Sequence, residues 1–152
     1  MISFKKKNKS VEYPLISISD CYVERIMILE QSVSIRFKDK GFWIREGADE
    51  EWHRVSKSTV QFNDCIVEDT NFVSISILKL FNKAFKYVRE IDFHKLASKV
   101  NSEEWKLEVV QDYVSETGSF FVCRLQRKKG IREYAYLEVR HNEMGFEYSA
   151  NN

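Results

Sequence analysis

The sequence predicts an α+β protein, predominantly antiparallel β: a sandwich or half-barrel of about ten strands with one short helix near residues 92–101. Three observations predict it. Aromatic residues make up 14% of the 152 residues, with eleven Phe and seven Tyr against a single Pro, a composition that favours strands. Apolar and polar residues alternate repeatedly along the chain. Helical spacing is clear in one place, where Phe93, Leu96, Ala97 and Val100 recur at i, i+3, i+4 and i+7 behind Asp92, an N-capping residue.

The elements follow in order. Residues 1–10 hold four Lys and no acid, and read as a flexible basic arm; residues 11–152 read as one globular domain. Residues 15–18 form a short strand. Residues 20–29 and 32–37 form a hairpin about Glu30-Gln31, with Val33, Ile35 and Phe37 on one face and Ser34 and Arg36 on the other. Lys38-Asp39-Lys40-Gly41 is a turn in which Gly41 supplies φ freedom, and residues 42–45 are the next strand. Residues 46–54 are a polar loop. Strands resume at 59–62, 65–68 and 72–78.

Residues 77–91 fit two readings. Leu80, Phe81, Ala84, Phe85 and Val88 suit a helix face, while Phe85, Tyr87 and Ile91 suit alternation. The crowding of β-branched and aromatic residues favours a hairpin turning at Asn82-Lys83. The helix over 93–100 ends at Asn101 as a left-handed terminator. Four strands follow, over 105–114, 119–126, 132–139 and 145–148. In the third, Ala135, Leu137 and Val139 face in while Tyr134, Tyr136 and Glu138 face out. Asp20-Cys21-Tyr22-Val23-Glu24 is echoed by Asp64-Cys65-Ile66-Val67-Glu68, but four matches in five are what chance supplies, and no repeat is built on them.

Composition narrows the function. No apolar run is long enough to span a bilayer, and the basic N-terminus is followed by no apolar h-region, so a cytoplasmic protein is expected. Cys21, Cys65 and Cys123 are odd in number and widely spaced, which predicts buried, reduced thiols rather than a disulfide framework or a zinc site. The net charge of +1 divides into the basic arm and a remainder at −3 with 20 basic and 23 acidic residues, so a nucleic-acid-binding face is not expected.

The sequence offers no catalytic constellation, and an enzyme is not the expected reading. His53, His94 and His141 are expected at the surface, and no Ser or Cys sits in a nucleophile motif. Metal-ligand spacing and phosphate-binding glycine loops are absent, so no metal or cofactor is expected. Thr117–Arg124 resembles the aromatic strand of RNA-recognition motifs only at Phe121; Phe120 and Phe121 are expected in the core. The basic run Arg124, Arg127, Lys128, Lys129, Arg132 reads as a solvated hairpin end.

Two features suit partner binding. In the loop 46–54 four acids, Glu46, Asp49, Glu50 and Glu51, precede Trp52. An aromatic anchor beside steering charges is what protein-recognition sites use; a solvated loop with Trp52 tucked into the core is the equal alternative. The outward Tyr134 and Tyr136 offer a second surface.

Leu15-Ile16-Ser17-Ile18-Ser19-Asp20-Cys21, the hairpin ending in Phe37-Lys38-Asp39-Lys40-Gly41-Phe42-Trp43-Ile44, Ile91-Asp92-Phe93-His94-Lys95-Leu96, and Lys99-Val100-Asn101-Ser102-Glu103-Glu104-Trp105 together resemble small bacterial immunity proteins. These are the antidotes of contact-dependent growth inhibition and related polymorphic toxin systems. The resemblance implies a cytoplasmic inhibitor that binds the C-terminal toxin domain of a surface-delivered effector, commonly a basic nuclease. It carries over no site residue. Two other functions compete: a nucleic-acid-binding β domain using Lys5–Lys9 and residues 124–132, and a small-molecule-binding barrel or an enzyme without a recognisable motif.

Overall fold

A computed structural model describes residues 2–6, 14–38, 40–115, 117–128 and 131–149. Asp39 of the expected turn, residues 1 and 7–10 of the expected arm and Lys129 of the basic run lie outside the described residues. The fold is α+β and mostly antiparallel β, as predicted, with a single short α-helix and no closed barrel among the described residues.

The strands are β1 (Ile2–Lys6), β2 (Leu15–Ser17), β3 (Cys21–Leu29), β4 (Ser32–Phe37), β5 (Trp43–Arg45), β6 (His53–Arg54), β7 (Ser56–Asn63), β8 (Asn71–Leu80), β9 (Lys83–Glu90), β10 (Lys106–Val114), β11 (Gly118–Lys128), β12 (Ile131–Arg140) and β13 (Glu143–Ser149); helix α1 is Phe93–Asn101. Ten of them form one sheet in the order β1-β13-β7-β4-β3-β10-β11-β12-β8-β9, and β2-β5-β6 form a small second sheet. Residues 2–6, expected within a flexible arm, pair with β13 from Ile2↔Tyr148 to Lys6↔Met144. The alternation Ile2-Ser3-Phe4-Lys5 is a strand pattern that the lysines mask.

The long sheet folds back on itself. Phe62 of β7 packs on Phe121 of β11 at 5.9 Å between ring centroids, so the two halves share one core. Alternation fills it: Val33, Ile35 and Phe37 from β4, and Ala135, Leu137 and Val139 from β12, are buried as their period-2 pattern requires. Phe42 meets Phe37, Phe146 and Tyr148 edge-on, the geometry that ring quadrupoles favour. Gly41 has φ +48, and a Cβ there would lie 1.8 Å from the Val55 carbonyl oxygen, so only glycine fits.

The halves join weakly. β3 and β10 pair only at Tyr22↔Glu108 and Cys21↔Val109. Beyond that the strands separate, and α1 packs against β3. The Asp92 carboxylate accepts from the Lys95 N–H at 2.8 Å, capping the helix, and Phe93, Leu96, Ala97 and Val100 are buried. Asn101 is not the left-handed terminator; that conformation falls on Glu103, at φ 59. Asn101 stays helical because its amide is used elsewhere. Its Oδ1 accepts from the Ile26 N–H and its Nδ2 donates to the Ile26 carbonyl, both at 2.8 Å, replacing a missing strand neighbour.

A second correction concerns residues 65–68. They form no strand. Asp64 turns the chain at φ 51, and Asp69 and Thr70 donate to the Ile66 and Val67 carbonyls in a 3-10 turn over Val67–Asp69. The echoed segments thus share a left-handed Asp, a buried Cys and a buried Val but not the backbone path; Asp20, at φ 56, leads instead into β3.

A candidate partner-binding surface

The acidic loop is shorter than expected, because His53 and Arg54 form β6 and pair with β5. What remains, residues 46–52, is a compact connection. Arg45 ties it down, its Nε donating to the Gly47 carbonyl at 3.1 Å and its Nη2 to that of Ala48. Glu46, Asp49, Glu50 and Glu51 are exposed, and Trp52 is 43% exposed rather than tucked into the core. Glu46 also acts inward: after burial, its charge is the second influence raising the Tyr148 phenol above its ordinary range.

Tyr134 and Tyr136 lie on the outer face of β12 in the ten-stranded sheet, whereas that loop joins β5 and β6 of the small second sheet. Tyr136 stacks on Phe120 at 5.5 Å, and Phe120 meets Tyr113 at 6.4 Å. Phe120, expected in the core, is therefore an outer-face residue, because Phe121 takes the inward position beside it. The structure joins Tyr134 and Tyr136 on one surface but does not bring them to Glu46, Asp49, Glu50, Glu51 and Trp52.

That outer face runs on to the β8–β9 hairpin. β8 pairs with β12 from Asn71↔Glu138 to Ile75↔Tyr134, and among the described residues the ladder stops there. β8 and β9 continue together to Leu80↔Lys83, so the hairpin leaves the body. Every residue of β9 is exposed. Ile77 is 65% exposed, and Val88, Phe85 and Tyr87 are about half exposed. The predicted hairpin is present, with its turn one residue earlier, at Phe81-Asn82. Both residues have positive φ, 49 and 61, as a two-residue turn of this hand requires. Asn tolerates that conformation; a bulky aromatic does not favour it. Phe81 holds it while 96% exposed.

Between the splayed ends of β8–β9 and β11–β12 lies a cleft of about 750 Å³. Arg89 lies over Tyr87 at 5.2 Å, and Arg127 over Trp105 at 5.9 Å. Arg127 also pairs with the buried Glu133, its Nε and Nη2 donating to the two carboxylate oxygens at 3.1 and 2.5 Å. Sequence reasoning missed Phe81 and this cleft. The available signal was an edge hairpin with apolar residues on both of its faces, Ile77 and Val88 on one, Phe85 and Tyr87 on the other.

The remaining polar chemistry is interior. His141, expected at the surface, is 4% exposed, and its Nε2 lies 2.7 Å from the Ser119 Oγ. Phe62 packs its ring at 5.0 Å, and burial holds the imidazole below its ordinary pKa. Hydrogen bonding to Ser119 lets the ring enter the core. His53 and His94 are exposed, as expected. The three thiols are free and buried, as expected, and burial pushes Cys21 and Cys123 up to about 12 and raises Cys65. Thiolate nucleophiles need the opposite shift. Among the described residues no three His, Cys, Asp or Glu side chains cluster to hold a metal ion, and no helix is long and apolar enough to cross a membrane.

Comparison with known protein families, curated proteins and solved structures finds no match.

Proposed function

We propose that this chain works by binding a protein, as a cytoplasmic immunity protein that neutralises the toxin domain of a contact-dependent inhibition effector. The observation that carries the binding reading is Phe81. A phenyl ring held at positive φ and left in water is unfavourable twice over in the free chain. A partner that buries the ring offsets both costs, and strained exposed residues concentrate where ligands are clamped. Ile77, Val88 and Tyr134 extend the same apolar surface beyond scattered exposed residues. The class of partner rests on the sequence resemblance.

Tyr134 and Tyr136 belong to this footprint. Glu46, Asp49, Glu50, Glu51 and Trp52 form a separate contact beside the small second sheet, where charge would act on the association rate.

The test begins with the gene immediately upstream, which should encode an effector ending in a small toxic domain. Co-expression of the chain should restore growth to cells producing that domain. Phe81→Ala should weaken the complex by about 2 kcal/mol or more, chiefly through faster dissociation. Unchanged affinity in Phe81→Ala would remove the hairpin from the interface. Failure to protect cells from the encoded toxin would remove the immunity reading.

A further inference from the structure

We infer that the cleft between the β8–β9 and β11–β12 hairpins receives an acidic segment of the protein partner, its carboxylates meeting Arg89 and Arg132. This rests on the partner-binding reading above and adds the partner's chemistry, which is the reverse of a basic nuclease surface.

The first support is charge. β9 presents Lys83, Lys86 and Arg89 against Glu90, all exposed. Arg132 is exposed at the cleft on the facing strand. Glu133 does not cancel this field, because Arg127 already neutralises it. Guanidinium groups match carboxylates with two parallel hydrogen bonds, and a cleft with apolar walls strengthens them by excluding water.

The second support is the apolar lining. Ile77 and Ile131 are each more than half exposed at the cleft mouth. Such side chains bury area against a protein segment. They offer nothing to a phosphate backbone, and β-branched aliphatics do not stack on bases as aromatics do. Two of the three aromatic rings lining the cleft are partly occupied: Arg89 covers one face of Tyr87, and Arg127 covers Trp105, which among the described residues leaves Tyr134 as the one ring without a cation over it. An acidic, partly apolar peptide uses both the cationic and the aliphatic side chains of the cleft, whereas a nucleic acid leaves Ile77 and Ile131 without a matching partner.

The test uses the full chain and three labelled probes in fluorescence anisotropy: a short peptide alternating Glu and Leu, its Lys-Leu counterpart, and oligothymidylate. The Glu-Leu peptide should bind and the Lys-Leu peptide should not. Arg89→Ser with Arg132→Ser should weaken Glu-Leu binding about tenfold or more, from the loss of charge-assisted hydrogen bonds. Equal binding of both peptides, binding of neither, or tighter binding of oligothymidylate would each overturn the inference. The peptide comparison on the parent chain stands even if the double variant does not fold. The two readings also fail separately. If the encoded toxin domain does not bind while the peptide pattern holds, the immunity reading falls and the acidic-segment site stands. If the toxin binds and the double variant binds it equally fast and tightly, the acidic-segment site falls alone.

Discussion

The long sheet comes apart in two places, and the chain treats them differently. Between β3 and β10 the ladder ends after two residue pairs, and helix α1 covers the gap, with Asn101 supplying the hydrogen bonds that a neighbouring strand would supply to Ile26. Between β12 and β8 the ladder ends at Tyr134↔Ile75, and a cleft of about 750 Å³ remains, walled by half-exposed apolar and cationic side chains. A separated pair of strands exposes backbone groups and apolar area. Closing the gap within the chain yields a core; leaving it open yields a surface suited to another molecule. Mutations at the closed gap should therefore cost stability, and mutations at the open one should cost binding alone.

The largest expected effect is at the helix that closes the first gap. Leu96 is fully buried against the core, so Leu96→Ala should destabilise the protein by about 2–5 kcal/mol in denaturant unfolding. A loss below about 0.5 kcal/mol would mean that the helix does not seal the gap.

Asn101→Ala comes next. It leaves the N–H and carbonyl of Ile26, itself buried, without the partners they have in α1. An unsatisfied buried polar group costs about 1–3 kcal/mol, with the lower end expected where water reaches the site. Hydrogen exchange at the Ile26 amide should speed up in the variant by more than at Ile35 on the adjacent β4. Equal acceleration at both would show that the two bonds act on the whole fold rather than on the local opening.

The sequence made the closed gap partly legible and the open one hardly at all. Helical spacing from Phe93 to Val100 and the Asp92 cap are local signals, and they located α1. The partner of Asn101 is far away in sequence, so its amide read as a helix terminator when it was in fact bonded to β3. The inward and outward alternation of β12 was also legible, because period 2 depends on the strand alone. His141 was misread because its polar neighbours suggest a loop, whereas its burial depends on Ser119 arriving from another strand. The acidic cluster at residues 46–51 is conspicuous in sequence for a similar local reason, yet in the structure it sits on a small connection pinned by Arg45. The place where β8 leaves β12 is set by strands far apart in the chain, and no local pattern marks it. Phe81 shows the same limit. The hairpin was legible, but its turn was expected one residue later, at Asn82-Lys83, because an aromatic at positive φ is a conformation that no local preference points to.

The smallest expected effect lies at the open gap, and it separates the two most sharply. Ile77→Thr and Ile131→Thr keep β-branching, so strand preference changes little, while a hydroxyl replaces apolar surface. Both side chains are already more than half in water, so the free protein has little burial to lose. Unfolding free energy should stay within about 0.5 kcal/mol of the parent for each. Binding of the partner protein should nevertheless weaken, because the area these residues offer is buried only in the complex. Paired measurements, denaturant unfolding of the free chain and affinity of the complex, decide the matter. A loss of stability comparable to that of Asn101→Ala would show that the chain's own residues close the cleft in solution. The contrast between the two gaps would then disappear, and with it the reason to place the partner there.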